Sequence, residues 1–302
     1  MRRRRSAGGR AHPRRRSQPA AYTTAVVPTR CTRLDRLRVL ITRLTSFPCI
    51  GEVLMVTSGK CTADIEAALK GASRWNDVKV RIADMGQWDD LFGPAVRFLA
   101  GSQAHRNVLL HLDDDELPCA EQACSLTHEV LNEPIGIFGH HPRVCNSHVG
   151  YTALKISPRV GQHVQRSSYN VVLTSFAATS KAFNDAFVSH LGDYGRALAN
   201  ARGNGEDLAY NHFLLHKFNR TPSYVPWREC AEWVVNGSDV YQHHHLPHSK
   251  FAFNPSAKLD DQSGISLGVH HYWLRKRLCK WAWHLRDWRK VNIIVPELTG
   301  TS

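Results

Sequence analysis

Short apolar segments alternate with helical segments over the first 112 residues, and this alternation limits the possible folds more than any other feature. The segments TTAVVP, EVLMVTSG, VKVRIAD and NVLLHL have the length and β-branched content of buried strands. Between them lie RLDRLRVLITRL, whose leucines and isoleucine share one helical face, TADIEAALKGASRW and PAVRFLAG, all typical of helices. The order β-α-β-α-β-α-β predicts an α/β fold with a mostly parallel central sheet flanked by helices.

The fourth of these strands is followed by three aspartates and a glutamate, within NVLLHLDDDELP. Adjacent carboxylates repel one another, so a chain that keeps them together usually has a cation to offset that cost. Mg²⁺ and Mn²⁺ take carboxylate ligands and commonly bridge them to the phosphates of a substrate. The local sequence leaves an alternative open, in which the cluster is a solvated turn that caps the next helix.

The position of the aspartates favours the metal interpretation. Ligands of such sheets bind outside the carboxyl ends of the strands, and Asp113, Asp114 and Asp115 lie at such an end. The first strand is followed neither by a G-x-x-x-x-G-K-[ST] phosphate loop nor by G-x-G-x-x-G. A nucleotide would therefore have to be held through a metal, which these aspartates could supply.

The net charge of +13 is concentrated in an arm at the start of the chain. Residues 1–20 hold eight arginines and no acidic residue. Removing them from the 39 basic residues leaves 31 against 26 acidic residues, a net charge of +5. The arm has the composition of a disordered segment, such as a presequence, a polyanion-binding arm or the stub of a longer anchor. The body itself is only mildly basic.

Cysteines and hydropathy limit the class of protein further. The eight cysteines form no C-x-x-C pair, which argues against a zinc ribbon while allowing disulfides. Two N-x-[ST] sequons, at Asn219 and Asn236, would be usable in the secretory pathway. No run approaches the roughly 18 apolar residues that a membrane span needs, so we expect no transmembrane segment in this chain. Membrane association would need an anchor that the chain as given lacks.

Five segments, in order and with compatible spacing, resemble the exostosin-type transferases of glycosyltransferase family 64. The resemblance runs from about Tyr22 to about Leu285 and implies the GT-A nucleotide-sugar-binding fold, with a single catalytic domain at 21–290. Its nucleotide-binding half would be 21–118 and its acceptor half 119–290, between the disordered arm 1–20 and a tail at 291–302. The segments are VVPTRCTRLDRLRVLITRL, AVRFLAG, VLLHLDDDELP, YNVVLTSFAATSKAFNDAF and GNGEDLAYNHFLL.

The resemblance implies roles for residues of the nucleotide-binding half. The aspartates match the D-x-D motif, in which Asp115 would bind Mn²⁺ or Mg²⁺ directly, Asp113 the ribose or a metal-bound water, and Asp114 the donor sugar. Arg97 precedes Asp113 by sixteen residues and would be a donor-site cation. The loop after the first strand would contact the nucleotide through Pro28, Thr29 and Arg33.

The resemblance also implies catalytic carboxylates in the acceptor half. Asp207, with Glu206, would face the anomeric carbon of the sugar, although acidic residues are also favoured at any helix start by the helix dipole. Arg275 would contact the donor diphosphate, with Lys276 and Arg277 as alternatives. Gly205 replaces a cysteine of the family, which would leave Cys279 without its disulfide partner.

These matches imply a metal-dependent retaining glycosyltransferase. It would move a sugar, an N-acetylhexosamine by family resemblance, from a UDP-sugar to a glycan or glycolipid acceptor in the Golgi or endoplasmic reticulum. No nucleic-acid partner is expected. Two alternatives stay open: a sugar-nucleotide nucleotidyltransferase, whose usual glycine-rich start is absent, and a polyanion-binding protein acting through the arginine arm.

Two further features carry no assigned role in the site. The run HHHLPH, which begins at His243, lacks ligand spacing on a defined element and is interpreted as a loop, and His270 and His271 are not assigned to the metal. The aromatic and basic tail YWLRKRLCKWAWHLRDWRK fits either a surface helix for a membrane or partner, or core packing.

Overall fold

A computed structural model defines the elements that position the aspartates. No helix within the part that it describes is long and apolar enough to cross a membrane. The described residues are 22–29, 34–57, 59, 61–70, 78–154, 163–200, 205–228, 230 and 264–291.

The first half of the chain has the alternating order that the sequence predicts. Strands β1, β2, β3 and β4 all run in the same direction, with β1 between β2 and β4. The predicted helix after β2 is described only as far as Lys70. The elements are β1 Thr23–Pro28, α1 Leu34–Leu44, β2 Ile50–Thr57, α2 Thr62–Lys70, β3 Lys79–Asp84, α3 Gly86–Phe92, a 3-10 turn Gly93–Ala95, α4 Val96–Gly101 and β4 Val108–Leu112.

Side-chain periodicity decides which faces of these elements are buried. On α1, Leu37 and Ile41 are buried with Leu40 and Leu44, whereas Val39 on the opposite face is exposed. Along β1 and β2 successive side chains enter different clusters, with Ala25 and Val27 on one side of the sheet and Val26 on the other. The buried strands therefore carry apolar residues on both faces.

The second half adds strands to both the main sheet and a smaller one. Helix α8 is the most deeply placed, because the side chains of its first nine residues are all buried. The elements are α5 Ala120–Asn132, β5 Phe138–Gly139, β6 Pro142–Asn146, β7 Gly150–Ala153, a 3-10 turn Arg166–Ser168, β8 Val171–Val172, β9 Phe176–Ser180, α6 Lys181–Ser189, α7 Leu191–Asn200, α8 Glu206–Phe218, β10 Ser223–Tyr224, α9 Gly264–Trp281 and a 3-10 turn Trp288–Lys290.

Strand direction gathers the functional candidates at one edge of the main sheet. The sheet has the order β10-β5-β9-β4-β1-β2-β3, and the small sheet has the order β7-β6-β8. Strand β9 is antiparallel to both β4 and β5, and β10 is parallel to β5. The carboxyl ends of all strands except β9 therefore lie at the same edge of the main sheet, the one that carries Asp113, Asp114 and Asp115.

Disulfides join distant parts of the chain. Cys49, just before β2, is bonded to Cys124 on α5, and Cys119 at the start of α5 is bonded to Cys230. The third disulfide, Cys145–Cys279, joins β6 to α9 across 134 residues of sequence. The expectation that Cys279 lacks a partner is therefore wrong, because its partner comes from β6 rather than from the start of α8.

A buried carboxylate organises the opposite, amino-terminal edge of the sheet. Glu52 on β2 accepts hydrogen bonds from Thr24 Oγ1 at 2.6 Å and from Arg81 Nε at 2.7 Å. The backbone N–H of His105 donates to the same carboxylate at 2.8 Å. Although burial opposes its charge, these hydrogen bonds lower the pKa of Glu52 below its usual value.

Candidate active site

The three aspartates follow β4 directly and are not part of a helix cap. The next helix, α5, begins only at Ala120, and the backbone N–H of Cys119 just before it is paired with the side chain of Gln122 at 3.4 Å. Asp113 is instead fixed to the sheet, because its N–H donates to the carbonyl of Ser175 at 2.9 Å. The helix-cap alternative for the acidic cluster is therefore wrong.

Arg97 is a buried cation beside the first of these aspartates. Its Nη2 donates to Asp113 Oδ1 at 2.6 Å, and its Nη1 donates to the carbonyl of Thr174 at 2.8 Å. Burial opposes the charge, but the carboxylates of Asp113, Glu206 and Asp207 outweigh it and raise the pKa of Arg97 above its usual value. Arg97 therefore stays charged and links the aspartates of β4 electrostatically to the carboxylates of α8.

A second hydrogen bond joins the ends of the first and fourth strands. Thr29 Oγ1, next to Pro28 at the end of β1, donates to Asp114 Oδ2 at 2.7 Å. Pro28, Thr29 and Asp114 thus lie together where the order of the strands reverses, which is where parallel sheets bind nucleotides. Arg33, predicted to act with them, lies outside the described residues.

The aspartates fit a hard divalent cation. Asp115 is exposed, and the side chain of Asp113 keeps 36% of its surface accessible despite its bond to Arg97. Carboxylate oxygens of this kind are the ligands that Mn²⁺ and Mg²⁺ prefer. Cys119, Glu121 and Cys230 also bring three potential ligand atoms together, but the disulfide between the two cysteines removes their thiolates.

The first turn of α8 presents two adjacent carboxylates at a buried position. Gly205 precedes the helix in the left-handed conformation, with φ of 93°. Glu206 and Asp207 are both buried, as are the next seven residues of α8. The backbone conformation at Gly205 turns the chain directly into this buried helix.

Arg275 on α9 forms ion pairs with these carboxylates. Its Nη1 donates to Asp207 Oδ2 at 2.6 Å and to the hydroxyl of Tyr151 at 2.9 Å, and its Nη2 lies 3.6 Å from Glu206 Oε1. Burial disfavours the charge of Arg275, but Asp207 and its other neighbours outweigh this and raise its pKa. Of the three basic candidates, Arg275 is buried at the carboxylates, whereas Lys276 and Arg277 are exposed.

The surroundings of Glu206 move its pKa toward neutral pH. Burial and the adjacent Asp207 carboxylate raise the pKa of Glu206 to about 7, against the opposing charges of Arg275 and Arg97. Glu206 Oε2 and Arg275 Nε are buried without a hydrogen-bond partner among the described residues. Buried polar atoms are normally paired, so these two mark a place where a ligand or water would complete the hydrogen bonds.

The residues that hold Arg275 could not be predicted from the sequence. Tyr151, in the segment VGYTAL, contributes its hydroxyl, and the Arg275 guanidinium lies 5.4 Å from the centre of its ring. Burial raises the pKa of Tyr151, so its hydroxyl stays neutral. The Cys145–Cys279 disulfide ties α9 to β6, whose pairing with β7 also positions Tyr151. No motif or periodicity marks these contacts, since each joins segments far apart in sequence.

The other sequence features that could have a functional role are either packed in the core, exposed, or outside the described residues. In the aromatic tail, Trp283 and Trp288 are buried while Trp281 is 65% exposed, so core packing accounts for part of that pattern. Asn219 is exposed at the end of α8. The arginine arm, the run beginning at His243, the side chains of His270 and His271 and the sequon at Asn236 lie outside the described residues.

Comparison with known proteins finds one family match and matches to solved structures. The family described as the glycosyl transferase family 64 domain matches residues 23–253. No curated protein matches the chain by sequence. The structure of GalNAc-T7 with UDP, GalNAc and Mn²⁺ matches with a TM-score of 0.50 and 11% identity, over 74% of this chain and 47% of that chain. The chain thus spans about half the length of GalNAc-T7.

The solved structures bear on the fold alone. The likeness to GalNAc-T7 confirms the predicted α/β class of GT-A type, with its mostly parallel sheet flanked by helices. The structure of 4-diphosphocytidyl-2C-methyl-D-erythritol synthase from Anaerococcus prevotii DSM 20548 also matches, with a TM-score of 0.44 and 13% identity, over 68% of this chain and 89% of that chain.

Proposed function

Because the chain belongs to the glycosyl transferase family 64 domain family, we propose that it is a metal-dependent retaining glycosyltransferase. Its donor is a UDP-sugar, an N-acetylhexosamine derivative, and its acceptor is a glycan or glycolipid. The observation that carries the proposal is the ion pair between Arg97 and Asp113 at the end of β4, beside the exposed Asp115. GalNAc-T7, which shares the fold, binds UDP, GalNAc and Mn²⁺ in its structure, and this supports the choice of donor.

In this proposal the end of β4 holds the donor diphosphate. Asp115 would ligate Mn²⁺ or Mg²⁺ directly, and Asp113 would contact the ribose or a metal-bound water. The bound cation would supply Lewis-acid stabilisation to the departing phosphate. Arg97 adds a second positive charge beside Asp113, and Thr29 holds Asp114 toward the nucleotide side through the 2.7 Å hydrogen bond.

The carboxylates of α8 serve the sugar. Transfer develops positive charge at the anomeric carbon, and preorganised carboxylates stabilise that charge only as it forms. Asp207 forms an ion pair with Arg275, and Glu206, whose pKa is raised to about 7, can hold or release a proton near neutral pH. Retention fits two routes: front-face attack, in which the leaving phosphate takes the acceptor proton, or double displacement through a carboxylate nucleophile.

The disulfides support a location in the secretory pathway. The three disulfides between described residues are typical of proteins that fold in an oxidising compartment. We place the enzyme in the lumen of the Golgi or endoplasmic reticulum, where glycan and glycolipid acceptors would be available.

The test is the metal-dependent binding of UDP. We expect Asp115→Asn to abolish the increase in UDP affinity that Mn²⁺ produces in the wild-type protein, as measured by calorimetry with and without Mn²⁺. The replacement is nearly isosteric and relieves carboxylate repulsion, so the folded state should be as stable as wild type. Glu121→Gln, on the exposed surface of α5, is the matched control and should bind like wild type. A folded Asp115→Asn protein that keeps the Mn²⁺ effect would contradict the assignment.

A further inference from the structure

An aromatic and polar surface lies on the other side of β4 from the proposed nucleotide site. Trp227 follows β10, His141 follows β5 and Glu116 follows β4, and these three strands run in the same direction. Their side chains meet at that common edge. His141 Nε2 lies 3.2 Å from Glu116 Oε1, and the His141 ring lies 5.5 Å from the ring of Trp227, edge to face.

The Trp227 ring is held in place by neighbouring aromatic rings. It stacks on His140, with ring centres 4.5 Å apart and 19° between the planes, and its centre lies 6.0 Å from that of the Phe176 ring in an edge-to-face arrangement. His140 is itself fixed, because its Nδ1–H donates to the carbonyl of Val225 at 2.7 Å. Burial lowers the pKa of His140 to about 4, so no charge disturbs this stack near neutral pH. Trp227 is nevertheless only partly buried.

This combination suits a sugar ring. A fixed aromatic ring presents apolar area at little cost in side-chain entropy, and it can pack against the C–H face of a pyranose. A carboxylate and an imidazole beside it offer hydrogen bonds to the ring hydroxyls. Glu116 follows Asp115 directly in the chain, so a sugar on Trp227 would lie next to the metal-binding carboxylates.

We propose that Trp227, His141 and Glu116 form the platform for the acceptor sugar. This inference rests on the proposed transferase function, because the platform would bind the sugar that receives the transferred group. The donor nucleotide lies toward β1, where Thr29 meets Asp114, whereas Trp227 is reached from β4 in the opposite direction, past β9 and β5. The two substrates thereby approach the carboxylates at the end of β4 from opposite flanks.

Direct binding of simple sugars tests the platform without relying on catalysis. Methyl glycosides of glucose, galactose, N-acetylglucosamine and glucuronic acid are offered to the protein with UDP and Mn²⁺, and binding is read by saturation-transfer NMR. We expect at least one to bind wild type, and Trp227→Leu to weaken its binding at least about tenfold while the affinity for UDP changes less than about twofold. Trp281→Leu removes an exposed tryptophan elsewhere and is the matched control.

The outcomes separate the platform from the proposed function. Trp227→Phe keeps an aromatic ring and should restore most of the binding. If Trp227→Leu does not fold, His141→Ala takes its place, because it removes the imidazole beside the ring, and it should weaken glycoside binding while the affinity for UDP changes less than about twofold. No glycoside binding in wild type, or undiminished binding in Trp227→Leu, would overturn the platform even if UDP still binds with Mn²⁺. If the wild-type protein shows no metal-dependent binding of UDP, the proposed transferase function is refuted, whether or not the glycosides bind. Equal losses of UDP and glycoside affinity in Trp227→Leu would also overturn the platform.

Discussion

Replacing Asp207 by Asn should destabilise the fold, because it removes the charge that keeps Arg275 buried. The two side chains are almost fully buried and joined by a 2.6 Å bond, and Glu206, the other carboxylate near Arg275, lies 3.6 Å away. Removing one partner of a buried ion pair typically costs about 3–5 kcal/mol. The Asn carbonyl can still accept a hydrogen bond, which offsets about 1 kcal/mol of that cost.

We therefore expect a loss of about 3 kcal/mol in the free energy of unfolding. For a domain of this size each kcal/mol lowers Tm by roughly 2–4 °C, so Tm should fall by about 6–12 °C. Urea denaturation at neutral pH measures the free energy, and differential scanning calorimetry measures Tm. The same preparations report the rate of UDP-sugar hydrolysis, which should fall at least about 100-fold if Asp207 also stabilises the sugar cation.

An exposed ion pair provides the control for this prediction. Asp287 accepts from Arg289 Nε at 2.8 Å on the protein surface, so Asp287→Asn changes a similar bond without burial and should leave Tm unchanged. A double-mutant cycle with Arg275→Met should show a coupling of at least about 1 kcal/mol between the two buried residues. If Asp207→Asn is as stable as Asp287→Asn, burial of the Asp207–Arg275 ion pair does not stabilise the fold.

Three further predictions concern pH dependence and packing. The lowered pKa of Glu52 contributes stability that is present above its ordinary value of 4.5 and is lost as the pH falls, so Glu52→Gln should reduce the acid sensitivity of Tm between about pH 5 and 3. The raised pKa of Glu206 has the opposite effect on stability: its contribution to the free energy of unfolding is complete below pH 4.5 and is lost as the pH rises through about 7. Calorimetry from pH 5 to 8 should show that Glu206→Gln removes this loss of stability. Gly205→Ala should lower Tm, because φ is 93° and the added Cβ would lie 2.4 Å from Leu278 Cδ1; an unchanged Tm would mean that the helix start can shift.

The fold of the first half of the chain could be predicted from sequence because its signals are local. Strand length and helical spacing are read within ten or so residues, and the direction of β1 to β4 then follows from the connecting helices. The place of Asp113, Asp114 and Asp115 follows for the same reason, since a residue that comes straight after a parallel strand must lie at the carboxyl edge. Their proposed role as metal ligands stays a prediction.

The partners within the site were decided by the tertiary structure. Arg97 meets Asp113 across 16 residues, but Arg275 meets Asp207 across 68 and Tyr151 across 124. Such contacts depend on how whole elements pack, and no periodicity in the chain encodes them.

The Cys279 disulfide shows the physical reason most clearly. Eight cysteines allow 105 pairings, and spacing alone does not choose among them. A cysteine at position 205 would collide with Leu278, whereas β6 brings Cys145 to a Cα–Cα distance of 5.0 Å from Cys279. The sequence determined which segments become strands and helices, and the packing of α9 against β6 and α8 determined which side chains they bring together.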